Sequence, residues 1–408
     1  MPTTHSEIFD PQRSPDFVSI LEKIRRDEPI FYFDREEFSS WIITRYADVT
    51  ALLRDRRLVV PSVATRLAAF PENQKRQLAP MQEFIRLNLG RTVERRLALR
   101  QTTKSFFKPR SAERLRGRIR EIIEQLLSVV DPLRPVDIVG SFSFPMPAMV
   151  MAELLGVPRS DQPRFIDWSQ ALISFHRSYD FDSLLEAQTG VVEMLDYCSN
   201  HIEQRRRAGA GDHDLADDFA RVLDEGRFEI GELAASCCTF LMAGHENTSH
   251  LIGNVFNILF THPDQLGLLK SDWSLLTNAI HEILRFNGVV PFLTREVAES
   301  FEFQGRKFEV GQLISLSLFS ANRDPDAFAN PDTFDIRNPR ARHHLGFGHG
   351  ANQCRGSHLA LVETEELLDT LFGRFPEMRP VEGGMETLCQ PMLRRYITRY
   401  DVLLDPRH

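Results

Sequence analysis

The chain has 408 residues, 42% hydrophobic and 26% charged, with a formal net charge of −8. That acidic balance argues against a nucleic-acid partner. Asp, Glu and Arg are scattered through residues 1–40, leaving no apolar run of signal-peptide or membrane-span length there. Cys198, Cys237, Cys238, Cys354 and Cys389 show no framework spacing, so reduced thiols in a cytoplasmic protein are expected. Without linker-like low-complexity runs, one domain over residues 1–408 is expected.

In chain order, Pro29 to Asp34 and Trp41 to Thr44 read as two short strands, and Tyr46 to Leu53 as a helix. From Val59 to Glu83 the pattern weakens, with Pro61, Pro71 and Pro80 interrupting it, and an irregular segment is expected. Arg91 to Phe107 reads as a basic helix bearing Arg91, Arg95, Arg96 and Arg100. A charge run of this kind usually marks a solvated face. Residues 111–210 are mostly helical by pattern. Arg114, Arg116, Arg118 and Arg120 could join the preceding helix in a basic patch facing an acidic partner.

Ile230 to Phe260 reads as one long helix, with Ala243-Gly244-His245-Glu246-Asn247-Thr248 near its centre. Glycine inside a helix costs roughly 1 kcal/mol relative to alanine. Gly244 therefore implies either a flat ligand lying close or a tight helix crossing. His250 follows Glu246 by four residues and shares its face. It reads either as a partner of Glu246 or as an ordinary surface histidine. Leu275 to Phe286 is a helix carrying Glu282 and Arg285, again on one face. Val289 to Arg295 reads as a turn entering a strand, and Phe301 to Leu318 supplies further strands with Gly305 and Gly311 at turns.

The glycine-rich stretch Leu345-Gly346-Phe347-Gly348-His349-Gly350 leads to Cys354 and Gly356. Apolar residues from Leu359 to Phe372 then recur at helical spacing until Gly373, a candidate C-cap. Cys354 thus lies where a loop becomes a helix, and free backbone N–H groups with the helix dipole favour a thiolate there. The residues alone leave three readings: a buried thiol at a turn, a zinc site with His343, His344, His349 or His358, and a ligand to another metal.

The order Phe347-Gly348-x-Gly350-x-x-x-Cys354-x-Gly356 resembles the haem-binding loop of the cytochrome P-450 family. The run from Ala243 to Thr248 is similar to that family's oxygen-binding motif, and Glu282-x-x-Arg285 to its Glu-x-x-Arg. The resemblance implies a mainly α fold with small β-sheets (α+β), a long helix across the distal face of haem b, and Cys354 as axial ligand of the iron. A thiolate ligand pushes electron density onto iron and favours O–O cleavage. It further implies Ala243, Gly244, Phe347, Gly348, His349 and Gly356 around the cofactor, and Arg96, Arg100 and Arg295 towards its propionates. Arg96 stands where relatives often carry His. Residues 59–83 would form a loop over the substrate, and Arg337, or in reserve Arg340, would complete a structural trio with Glu282 and Arg285.

The resemblance implies catalytic roles for Glu246, Asn247, Thr248 and His250, with one departure. Asn247 occupies the place of an alcohol that delivers protons, and an amide does not relay a proton as a hydroxyl does. Bound substrate or water would complete delivery, or the reaction couples bonds without inserting oxygen. Asn352 stands where relatives carry His or Arg, and Arg355, in place of an aliphatic residue, would either face a partner protein or stand exposed. The expected protein is a soluble, cytoplasmic monomer oxidising a small organic molecule, a secondary-metabolite intermediate, with dioxygen. Electrons would come from NAD(P)H through ferredoxin reductase and ferredoxin. A haem sensor without turnover is the alternative.

Overall fold

The computed structural model describes residues 17–34, 39–61, 70–88, 90–177, 180–209, 214–390 and 394–405. Strands β1 (Ile30–Phe33) and β2 (Ser40–Ile43) pair as a hairpin, Ile30 opposite Ile43. The short β3 (Leu58–Val59), then β5 (Phe292–Val297) and β8 (Leu313–Ser317), complete a five-stranded sheet ordered β1-β2-β8-β5-β3. Its β2–β8 pairing is parallel, so the N-terminal hairpin and the strands of the segment 292–317 share one sheet. Between these strands, β4 (Val136–Asp137) belongs to a second sheet with β9 (Arg379–Gln390) and β10 (Arg394–Leu403). The hairpin β6 (Phe301–Phe303) and β7 (Arg306–Phe308) stands apart.

Helices supply the larger core. The longest, Ile230–Thr261, has most of its residues buried because apolar side chains surround it on nearly every face. Its first turn is closed by a capping box in which Glu229 and Glu232 each accept from the other's backbone N–H. The basic helix, shorter than expected at Val93–Thr102, anchors that turn. Arg95 pairs with the Glu232 carboxylate, and Arg91 donates to the Glu232 carbonyl and, at 2.9 Å, to Ser236 Oγ. The charge run is therefore internal wiring more than a solvated face. The proposed basic patch is similarly neutralised, since Arg116 bonds Glu113, Glu365 and Glu366, Arg118 reaches Glu153, and Arg120 reaches Glu366.

Two expectations about local structure fail. Residues 59–83 are not irregular throughout: Glu72–Gln77 and Ala79–Asn88 are helices, with prolines at or near their starts. Pro71 is an N-cap, where its missing N–H costs nothing. The part expected to overlie the substrate, 62–69, lies outside the described residues. The last helix runs Ser357–Arg374, past Gly373, and ends at Phe375.

Glu282 and Arg285 sit on the helix Leu276–Phe286, 0% and 1% exposed. Arg285 makes two parallel bonds to Glu282 at 2.8 and 2.7 Å and donates to the carbonyls of Asn322, Pro331 and Thr333. All five guanidinium donors are thereby used, the condition under which a buried charge is tolerated. The expected third arginine is absent from this network. Arg337 and Arg340 are exposed, and Asn338 Nδ2 donates to Glu282 Oε2 at 2.9 Å instead. The amide lies on the inward side of the turn that Asp335 caps through the Arg337 N–H. Asn338→Ala is expected to destabilise the protein by about 1–3 kcal/mol, having stripped a partner from a buried carboxylate. Arg337→Ala should stay within about 0.5 kcal/mol. Urea denaturation of the two variants checks both figures.

Candidate functional site

The loop carrying Cys354 is fixed by its own backbone. The Leu345 N–H donates to Asn322 Oδ1 at 2.7 Å, the Gly348 N–H to the Leu345 carbonyl at 2.7 Å, and the Cys354 N–H to the Phe347 carbonyl at 2.8 Å. Gly348 and Gly350 have φ of 70° and 75°, a region that favours glycine, and a Cβ on Gly350 would lie 3.0 Å from the Leu53 carbonyl oxygen. Gly356 differs, because a Cβ there meets nothing within 4 Å and would project into open space.

That space is a cavity between the Cys loop and the long helix. Ala243, Gly244, Asn247, Thr248 and Leu251 form one wall, and Leu284, Val289, Val290, Leu293, Arg295 and Leu318 another. Gly346, Phe347, Gly348, Asn352, Cys354 and Gly356 form the floor. Most of these side chains are apolar, as in small-molecule sites generally. Gly244 reconciles the two readings of its helix: it lines the cavity, yet a Cβ there would also lie 2.7 Å from Met151 Sδ on the crossing helix Pro145–Leu154.

Cys354 is open to the cavity while protein surrounds it on the other sides. Burial pushes its thiol up from the ordinary value, and the Gly356 and Ser357 N–H groups pull the other way. The helix terminus alone therefore does not produce a thiolate, and a cation at sulfur is needed to tip the balance. The zinc reading is not supported. His344 bonds His281 at 3.1 Å, Arg54 Nε donates to His349 Nε2 at 2.7 Å, and His343 and His358 are exposed. Among the described residues, no group of three or more His, Cys, Asp or Glu side chains could hold a metal ion.

Arg295 is 7% exposed, and among the described residues its guanidinium bonds only the Thr294 carbonyl, at 2.9 Å. Burial lowers its pKa, and among the described residues no carboxylate offsets it, leaving an uncompensated cation on the cavity wall. Arg100 donates to the Ala351 carbonyl and to Asn352 Oδ1 at the floor's edge. Arg96 is exposed and off the cavity wall, as its helix turns it outward, and His349 is held by Arg54 outside the lining. Arg355 does not stand free towards a partner. It donates to Thr103 Oγ1 and the Arg100 carbonyl and lies over the Phe107 ring, tying the loop to the basic helix.

The four expected catalytic residues separate into two pairs. Asn247 and Thr248 line the cavity. Glu246 is buried on the adjoining helix face, 3.8 Å from His250 Nε2, and His250 stacks on Tyr396 of β10 at 3.9 Å. Successive helical residues turn by about 100°, so neighbours in sequence need not share a wall. His250 is thus a partner of Glu246 and no surface histidine. Sequence reasoning passed over His245, whose Nε2 bonds the Phe144 carbonyl at 2.5 Å beside the π-helical turn Val139–Ser143. Since a carbonyl only accepts, Nε2 carries the proton. It also passed over Glu363, whose signal was an acid in the apolar stripe Leu359, Glu363, Leu367, Leu371.

Comparison with known proteins gives concordant matches. The family described as Cytochrome P-450 matches residues 270–395. A Bacillus subtilis (strain 168) protein named biotin biosynthesis cytochrome P-450 is 31% identical, over 88% of this chain and 89% of its own. The 6-deoxyerythronolide B hydroxylase of Saccharopolyspora erythraea is 34% identical over 90% of each chain. The solved structure of CxnD, a P-450 enzyme for C–S bond formation in chuangxinmycin biosynthesis, superposes with a TM-score of 0.82 at 27% identity, covering 98% of this chain and 96% of that one.

Burial lowers the pKa of His245 from 6.5 to about 4, outweighing the Phe144 bond. The unfolded chain takes up this proton near pH 6.5 and the folded protein only near pH 4, so stability is present above the first value and lost as pH falls towards the second. The loss from this one group is about 3 kcal/mol at 1.36 kcal/mol per pH unit. His245→Gln, which keeps a donor for Phe144, is expected to flatten the stability-versus-pH slope in that window by up to one proton. Denaturant titrations at pH 7, 6, 5 and 4 measure it.

Proposed function

Because this chain belongs to the cytochrome P-450 family, we propose that its cavity holds haem b and oxidises a small organic molecule, a secondary-metabolite intermediate, by hydroxylation or a related monooxygenation. The chain is an oxidoreductase of the monooxygenase type. The single observation that carries the fuller reading is the convergence on one cavity of a lone thiol, a buried cation with no counter-charge among the described residues, and a glycine floor.

The residues fit the group. Cys354 offers its sulfur to iron, Gly356 leaves room that a side chain would fill, and Arg295 has a bidentate fork to give a carboxylate. Arg100, beside Asn352, is the second propionate candidate, while the exposure of Arg96 speaks against it as a third. Haem with a thiolate ligand supplies dioxygen chemistry driven by two electrons. Those electrons come, in this reading, from NAD(P)H through ferredoxin reductase and ferredoxin, with the protein a cytoplasmic monomer. Among the described residues no helix is long and apolar enough to cross a membrane.

The protein's own groups bind, orient and manage protons. Val289, Val290, Leu293 and Leu318 offer an apolar surface to substrate and exclude water from it. Asn247 donates and accepts hydrogen bonds at that wall, orienting substrate or a water. Thr248 presents a hydroxyl beside it, and Glu246 with His250 supports the helix from behind. A second reading, oxidative coupling or ring formation without oxygen insertion, is favoured by Asn247 in place of an alcohol. The bond-forming neighbour CxnD supports it.

Reduced protein treated with carbon monoxide is expected to give the far-red Soret band of thiolate ligation, and Cys354→Ser to lose it. A haem-replete protein without that band defeats the proposal. Arg295→Leu should release haem about 10- to 100-fold more readily, matching about 1.5–3 kcal/mol for a charged hydrogen bond. The same change should leave the haem-free protein as stable or more so, because it removes a buried unpaired cation. Isotopic dioxygen traced into product separates insertion from coupling.

A further inference from the structure

Arg355 is a cation fixed beside the thiol. It follows Cys354 directly, and both residues line a second chamber together with Phe107, Gly356 and Glu363. Its guanidinium is held from three sides. Nη1 donates to Thr103 Oγ1 at 3.0 Å, Nη2 donates to the Arg100 carbonyl at 2.9 Å, and the Phe107 ring centre lies 5.1 Å away. Arg100 and Thr103 close the basic helix Val93–Thr102, so the charge sits at that helix's negative end. Neutral acceptors of this kind orient a guanidinium without cancelling its unit charge.

Among the described residues no carboxylate pairs with Arg355. Glu363 shares its chamber but forms no ion pair with it there. The one neighbouring charge that acts on it is another cation: burial first, then Arg100, lowers the Arg355 pKa. Arg100 in turn bonds the Ala351 carbonyl and Asn352 Oδ1, both neutral. Two guanidinium groups are thus fastened to the cysteine loop, at 351–352 and at 355, with no acid among the described residues to balance them. Like charges gathered in this way raise the local potential, most of all where protein excludes water. A group bound through the Cys354 sulfur lies in that field.

We propose that Arg355 is a positioning residue whose fixed charge, set beside the Cys354 sulfur, makes the haem put forward above easier to reduce. The electron comes from the reduced ferredoxin of that reading, and it adds one negative charge at the centre. A cation held close by stabilises the reduced state more than the oxidised one. No bond forms or breaks at Arg355, and its protons stay on its nitrogens. An arginine after the cysteine, in place of an aliphatic residue, thereby has a use that needs no contact with a partner. This inference rests on the haem reading.

Arg355→Gln keeps a donor for Thr103 or the Arg100 carbonyl and removes the charge. In anaerobic dye titrations of the haem-loaded protein, R355Q should show a reduced-to-oxidised ratio about three- to tenfold lower at a fixed potential, tenfold being about 59 mV for one electron. Arg355→Lys keeps the charge and loses the planar fork, and should stay within about twofold of the parent. Both variants should keep the thiolate Soret band of the carbon monoxide adduct and the parent's KM for a surrogate ferredoxin. A potential in R355Q equal to the parent's overturns the inference, and an equal fall in R355K overturns it by marking a structural role. A raised KM with an unmoved potential overturns it in favour of docking. If R355Q does not load haem, Thr103→Asp decides. A carboxylate at the position Arg355 already bonds must lower the potential in the same direction, and an unmoved potential overturns the inference. Loss of the thiolate band from the parent itself would strike the haem reading instead.

Discussion

The five-donor embrace of Arg285 is the constraint on which the site depends. A guanidinium taken fully out of water is tolerable only when every N–H finds an acceptor. Here two acceptors come from Glu282 on the same helix and three are main-chain carbonyls of the segment 322–333. Main-chain acceptors cannot move without moving the chain. Asn322, whose carbonyl Arg285 holds, also accepts from the Leu345 N–H through its side chain. The buried pair therefore positions the start of the cysteine loop from about twenty residues upstream. The Asn338 amide and the Asp335 N–H satisfy the remaining carboxylate lone pairs.

Much of this could be read from the residues because periodicity and turn chemistry agree with the tertiary structure at most elements. The long helix was legible over almost its full length, and the two N-terminal strands to within a residue or two. What failed to show was decided by packing. Prolines between residues 59 and 83 suggest disruption, yet at a helix start proline is well placed, and only the fold reveals which role applies. The third member of the Arg285 network was sought as an arginine, and an amide one residue away took the position because the Asp335 turn sends Arg337 outward.

Site residues follow the same division. Types that chemistry demands, a lone cysteine after glycines and an arginine entering a strand, were legible and now line one cavity. Orientation was not. Spacing places Glu246 beside Asn247 along the chain, but a helical step of about 100° puts the acid behind the wall and the amide on it. Nor does a sequence show compensation. Arg95 and Arg116 look like solvated charge until their carboxylates appear, whereas Arg295 looks ordinary until, among the described residues, none does.

The contact between Gly244 and Met151 carries a consequence for how such a pocket can diversify. With the thioether packed where any side chain at 244 would go, the helical wall is set by a glycine backbone against a methionine side chain of the crossing helix and has little slack. The facing wall, Val289 to Leu293, is a turn running into β5, where side-chain length can change without shifting a helix axis. Variation in guest size is thereby channelled to one flank, and the opposite flank acts as a fixed ruler against which each new guest is measured.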